Sequence, residues 1–145
     1  MPNPNNLKRT QIMLILGDAL VFVFFAVQGR ATHEMSLGSN PALTDLAVAA
    51  PFAAPWFVLA ALLGVFRVET IARIEQTLFW TLIAWLSAGS IGLVARSMIL
   101  QRPMLPMFAA AVLGIHAALL LAWHVGVSVV ANVVSKRGIK PPRKP

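Results

Sequence analysis

Four long apolar runs separated by short polar segments organise the chain, and each run is uniform enough to be read by length rather than by amphipathic period. The first is TQIMLILGDALVFVFFAVQ, residues 10–28, broken inside only by Gly17 and Asp18. A polar, turn-rich stretch follows over 29–45, with Thr44 or Asp45 placed to cap what comes next. The second run, 46–66, is uncharged but carries Pro51 and Pro55, so it predicts a helix bent or irregular in its first half. RVETIARIE, 67–75, alternates charge and spaces Glu69 and Arg73 four apart, which suits a short helical connection at an interface. The third run covers 76–95. The fourth covers 105–135, about 45 Å if wholly helical, and must tilt, protrude or break, Gly126 being the natural break point.

A membrane helix needs roughly 20 mainly apolar residues to cross about 30 Å of hydrocarbon, and all four runs reach or approach that length. The predicted fold is therefore all-α, a polytopic bundle of four transmembrane helices, with an N-terminal tail over 1–9 and a basic tail over 136–145. Composition agrees: 58% of the 145 residues are hydrophobic and 12% charged, and the mean hydropathy is +0.76, outside the range of a water-soluble domain. A cleaved signal peptide would share the basic start, but Asp18 interrupts the apolar segment and no small-x-small site follows, so the first run reads as a retained span.

Charge orients the bundle. With the N-terminus inside, the cytoplasmic segments hold Lys8, Arg9, Arg67, Arg73, Lys136, Arg137, Lys140, Arg143 and Lys144, whereas Arg30, Arg96 and Arg102 fall outside. Nine against three predicts a cell-membrane protein with both termini cytoplasmic. The formal charge of +7 sits mainly at the ends, where it suits anionic lipid headgroups, above all at the basic tail, rather than nucleic acid. Cysteine is absent, which removes thiolate chemistry, disulfides and iron–sulfur ligation.

Asp18 is the acidic residue deepest inside a predicted span. Burying a carboxylate there costs several kcal/mol unless it is paired or neutral, so Asp18 should face the bundle interior. Placed near the midpoints of their segments, Asp18 and His116 form the leading predicted pair, with Ser87 and Ser90 as other partners; the choice lies between a proton- or ligand-handling pair and a packing hydrogen bond. Arg30, His33 and Arg96, with Gln28, Gly29 and Pro51, gather at the outer helix ends. They read either as a shallow polar pocket for an anion or lipid headgroup or as snorkelling interfacial residues. Trp85, Gly89, Gly92 and Arg96 share one face of the third span, a small-residue lane that lets another helix approach. Trp56, Trp80, Trp85 and Trp123 read as interfacial anchors. No metal site is expected: His33 and Glu34 lack a third ligand, and His116 and His124 stand eight residues, about 12 Å, apart on a helix. No cofactor or catalytic motif is recognisable.

In the order and spacing of Gly17-Asp18, Phe25, Gly29-Arg30, His33, Pro51-Phe52, Gly92, Arg96 and Trp123, the chain resembles the prokaryotic membrane family called domain of unknown function 3054, over residues 12–124. The resemblance implies a compact four-helix membrane protein and marks Asp18, Arg30, His33, Pro51 and Arg96. Members commonly carry Trp-Arg where this chain has Trp123-His124. It implies no reaction. Three functions stay open: a structural or accessory membrane protein, with a homo-oligomer or membrane-protein partner; a small transporter or channel component using Asp18 and His116; and an intramembrane enzyme acting on a lipid or isoprenoid.

Overall fold

The structure, a computed structural model, describes residues 4–33, 40–101 and 103–137, with side chains described over 8–29, 40–101 and 103–134. Five helices follow in order: α1 (Pro4–His33), α2 (Pro41–Leu62), the short α3 (Val68–Ile71), α4 (Ile74–Leu100) and α5 (Pro106–Arg137). Among the described residues there is no strand. Lys8–Gly29, Pro41–Leu62, Ile74–Leu100 and Pro106–Val134 are each long and apolar enough to cross a membrane. The architecture is a four-helix bundle of that kind.

Capping chemistry sets the helix limits. α2 begins at Pro41, ahead of the predicted Leu46, because Asn40 rather than Thr44 or Asp45 is the N-cap: its Oδ1 accepts from the Ala42 N–H at 3.0 Å. Pro41 occupies the first turn, where its missing N–H costs nothing. α2 ends at Leu62, short of the predicted Phe66, in a Schellman motif. Val65 N–H bonds Ala60 O at 2.8 Å and Gly64 N–H bonds Ala61 O at 3.2 Å, with Gly64 at φ +73° and Val65 buried beneath. Between them α2 is one continuous helix through Pro51 and Pro55.

Pro55 has no N–H to offer the Pro51 carbonyl, so that oxygen is free to face a neighbour. It faces Gly92 on α4: a Cβ on Gly92 would stand 2.8 Å from Pro51 O and would run into the Phe52 ring. The small-residue lane of α4 is thus where the proline-containing half of α2 seats its free carbonyl. Gly89, one turn earlier, makes the same room for Leu113 of α5.

α5 is unbroken over 32 residues, about 48 Å. Gly126 does not interrupt it, and a Cβ there would meet nothing within 4 Å. A helix longer than the hydrocarbon needs no break when its end carries residues such as Lys136 and Arg137 that belong in headgroups or water. Arg73 is extended, at φ −121° and ψ 109°, and starts α4, so the Glu69–Arg73 spacing does not continue as one helix.

Side chains from α1, α4 and α5 tie down the α2–α4 connection by donating to its carbonyls. Gln11 Nε2 bonds Phe66 O at 3.0 Å, Thr77 Oγ1 bonds Thr70 O at 2.8 Å, and Ser128 Oγ bonds Ile71 O at 2.5 Å. Asn132 Nδ2 reaches Ala72 O at 3.3 Å. The core itself is aromatic: Phe22, Phe52, Trp56 and Trp85 are buried with Ala60, Ala84, Ala88, Val112 and Leu120 around them.

Candidate functional site

Two polar arrangements lie inside the bundle, and they differ in access. At the first, Asp18 is fully buried and accepts two hydrogen bonds. Trp56 Nε1 donates to Oδ2 at 2.9 Å, and His124 Nε2 donates to Oδ1 at 2.9 Å. On its other side His124 Nδ1 meets Thr81 Oγ1 at 3.3 Å. α1, α2, α4 and α5 contribute one member each, so one connected set of hydrogen bonds joins all four long helices. Trp56 and Thr81 are fully buried and His124 nearly so. A Thr–His–Asp sequence invites comparison with a nucleophile triad, but the Thr81 hydroxyl has no exposed surface for a substrate to reach.

Asp18 is expected to face inward and to meet a polar partner on the third or fourth span, His116 first and Ser87 or Ser90 next; it does face inward, but its partners are His124 and, from α2, Trp56. Ser90 instead bonds its own helix at Leu86 O, 2.7 Å away, and Ser87 is exposed. Trp56 and Trp85 are likewise not interfacial anchors: both are fully buried, and Trp85 Nε1 donates to Leu113 O at 2.9 Å. Trp123 lies over Gly17 in the gap between α5 and α1 and donates to Leu14 O at 3.3 Å.

The second arrangement is open. A pocket of about 310 Å³ lies toward the end of the bundle formed by the C-termini of α1 and α4 and the N-termini of α2 and α5. Its wall is mostly apolar: Phe22, Phe25 and Ala26 from α1, Val48, Ala49 and Phe52 from α2, and Phe108, Ala111, Val112 and Ile115 from α5. Gln28, Arg96 and His116 are its polar members. Among its lining residues, Ala111 and Ile115 on α5 and Gln28 on α1 are exposed.

Arg96 stands at the outer end, its guanidinium carbon 5.0 Å from the centre of the Phe108 ring. Among the described residues it has no hydrogen-bond or ion-pair partner. His116 lies eight residues further along α5 than Phe108, about 12 Å deeper, and is 1% exposed. Its ring stacks on Trp85 at 4.8 Å and 23° and packs on Phe25 at 3.7 Å. Its Nδ1 bonds Val112 O at 3.0 Å. Nε2 has no partner among the described residues; since no sealed side-chain nitrogen or oxygen among them lacks one, Nε2 is open to the space that His116 lines.

Of the predicted site residues, Asp18 therefore sits in the sealed knot, whereas His116 and Arg96 share the pocket with Gln28 and Gly29. Arg30 and His33 fall in the last turn of α1; their side chains, and Glu34 altogether, lie outside the described residues. Among the described residues no three His, Cys, Asp or Glu side chains come together as metal ligands. No motif in the sequence marks Trp56, Thr81, His124 or Phe108 as a polar or binding element.

A family model described as "Protein of unknown function (DUF3054)" matches residues 15–127. No curated protein matches the chain significantly, and no solved structure does.

Proposed function

The chain belongs to this DUF3054 family, and from that premise we propose that it is a multi-pass protein of the cell membrane, both termini cytoplasmic, that holds a small anionic amphiphile between α1 and α5. The observation that carries the reading is Arg96, a guanidinium inside a membrane-spanning stretch, without a protein acceptor among the described residues, at the edge of an apolar pocket. A cation so placed is stabilised by an anion, and the aromatic wall supplies the burial for a chain attached to that anion.

Volume limits the occupant. A cavity of about 150 Å³ lined by apolar side chains takes benzene, so 310 Å³ suits about twelve carbons. Such binding belongs with an accessory role and requires no turnover. A proton path through Asp18 is the weaker reading, because the knot around it is sealed on every helix.

Tryptophan fluorescence tests the proposal in neutral-lipid nanodiscs, Trp85 being close to the pocket floor. Dodecanoate and dodecyl phosphate carry the two candidate heads, and ω-bromododecanoate provides the quenching. Both anions should displace the brominated probe, with the tighter one identifying the head, and dodecanol should not. Arg96→Gln should weaken both anions about tenfold or more. Equal displacement by dodecanol, or no change in Arg96→Gln, overturns the reading.

A further inference from the structure

The geometry points to a second recognition element at the closed end of this pocket: His116 Nε2 accepts a hydrogen bond from a hydroxyl at the far end of the bound chain. The inference rests on the reading of the pocket as an amphiphile site and narrows its ligand class to anionic amphiphiles with a hydroxyl at the end opposite the head.

The tautomer follows from the backbone. A carbonyl oxygen only accepts, so the contact between His116 Nδ1 and Val112 O at 3.0 Å places a hydrogen on Nδ1. In the neutral ring Nε2 is then left with a lone pair and no hydrogen. A half-turn of the ring about its Cβ–Cγ bond would keep the stack on Trp85 but would set Cδ2 against Val112 O in place of Nδ1 and lose that hydrogen bond. Nε2 is thus a fixed acceptor in an otherwise apolar floor, with no hydrogen-bond donor on it among the described residues.

A purely aliphatic occupant would cover that nitrogen and leave it unsatisfied. One with a terminal O–H would satisfy it. Sites built to hydrogen-bond a ligand hydroxyl reject analogues lacking it more strongly than apolar pockets reject size changes. Arg96, beside the Phe108 ring, and His116, eight residues or about 12 Å along α5 from Phe108, therefore read the two ends of one ligand.

The test compares three probes on the unaltered protein in neutral nanodiscs: dodecanoate, ω-hydroxydodecanoate and ω-methoxydodecanoate, the last with an oxygen but no hydrogen to donate. The hydroxy acid should bind about five- to tenfold tighter than either other probe, and His116→Phe, which keeps a ring in the stack but has no acceptor for an occupant to cover, should abolish that preference. Equal binding of the hydroxy and methoxy acids, or of the hydroxy acid and dodecanoate, overturns the role of His116 and leaves the amphiphile site standing. Failure of all three probes to bind overturns the site itself.

Discussion

Asp18 and His124, separated by 106 positions in sequence, meet at 2.9 Å in the sealed centre of the bundle. Trp56 completes the contact from α2 and Thr81 from α4. In a low-dielectric interior each of these groups would be costly alone, and each is satisfied by the others. The knot therefore selects one arrangement of the four helices, since any rotation of one helix strands a polar group in apolar surroundings.

Substitutions at Asp18 separate packing from proton handling. Asp18→Ala leaves two buried donors facing a void and should lower stability by about 3 kcal/mol or more. Asp18→Asn should cost under about 1 kcal/mol. Its oxygen can still accept from Trp56, and its amide can donate to His124 Nε2 once the imidazole hydrogen moves to Nδ1, where the Thr81 hydroxyl turns to accept it. His124→Arg, the residue that the resembled family commonly carries there, keeps a donor on Asp18 and should fold, whereas His124→Leu should not. Thermal unfolding in detergent checks the series; an Asp18→Asn protein as unstable as Asp18→Ala refutes the knot.

Gly17 and Trp123 form a second, non-polar lock between α1 and α5. A Cβ on Gly17 would lie inside the Trp123 indole, so Gly17→Ala should destabilise by about 1 to 3 kcal/mol through overpacking. The effect is conditional on the indole. In a Trp123→Ala background the same substitution should be nearly neutral, and a double-mutant cycle that came out additive would show that the two do not touch.

The fold was legible because four apolar runs of membrane length admit few arrangements, and because an inward-facing carboxylate is an energetic requirement rather than a motif. The midpoints of the apolar runs pair Asp18 with His116 rather than His124, because caps and overhangs displace those midpoints from the true depth. Counted from the basic residues at one end of the bundle, Asp18 lies nine positions from Arg9, Trp56 eleven from Arg67, Thr81 eight from Arg73 and His124 twelve from Lys136, whereas His116 lies twenty from Lys136. Anchor distance would have found the knot. The pocket was legible only in its polar members, because nothing in a run of alanines and phenylalanines says which of them leave a space between helices.

The proposed orientation is open to direct labelling, since the chain has no cysteine. Single cysteines replacing Met104, exposed between α4 and α5, and Ala72, exposed between α3 and α4, probe opposite ends of the bundle. A membrane-impermeant maleimide should reach Met104→Cys in intact cells and Ala72→Cys only after permeabilisation. The reverse pattern would invert the topology inferred from the basic residues.

Ala26 offers the sharpest test of pocket size, because it alters the space without changing either polar residue. It is buried, lines the pocket on α1, and carries no polar group of its own. Ala26→Leu adds three carbons; at the roughly 25 Å³ per carbon implied by benzene in a 150 Å³ cavity, it removes about a quarter of the space. Leucine keeps the helix propensity high, but Ala26 is 1% exposed, so the added atoms also press on packed neighbours and stability should fall by about 1 kcal/mol or more. Binding should respond by length: the best saturated carboxylate should shorten by about three carbons, with nonanoate overtaking dodecanoate, while the dependence on Arg96 persists. Uniform loss of all chain lengths would mean that Ala26→Leu disturbs the bundle, which its unfolding temperature would reveal. Unchanged chain preference with intact folding would mean that the bound chain lies elsewhere.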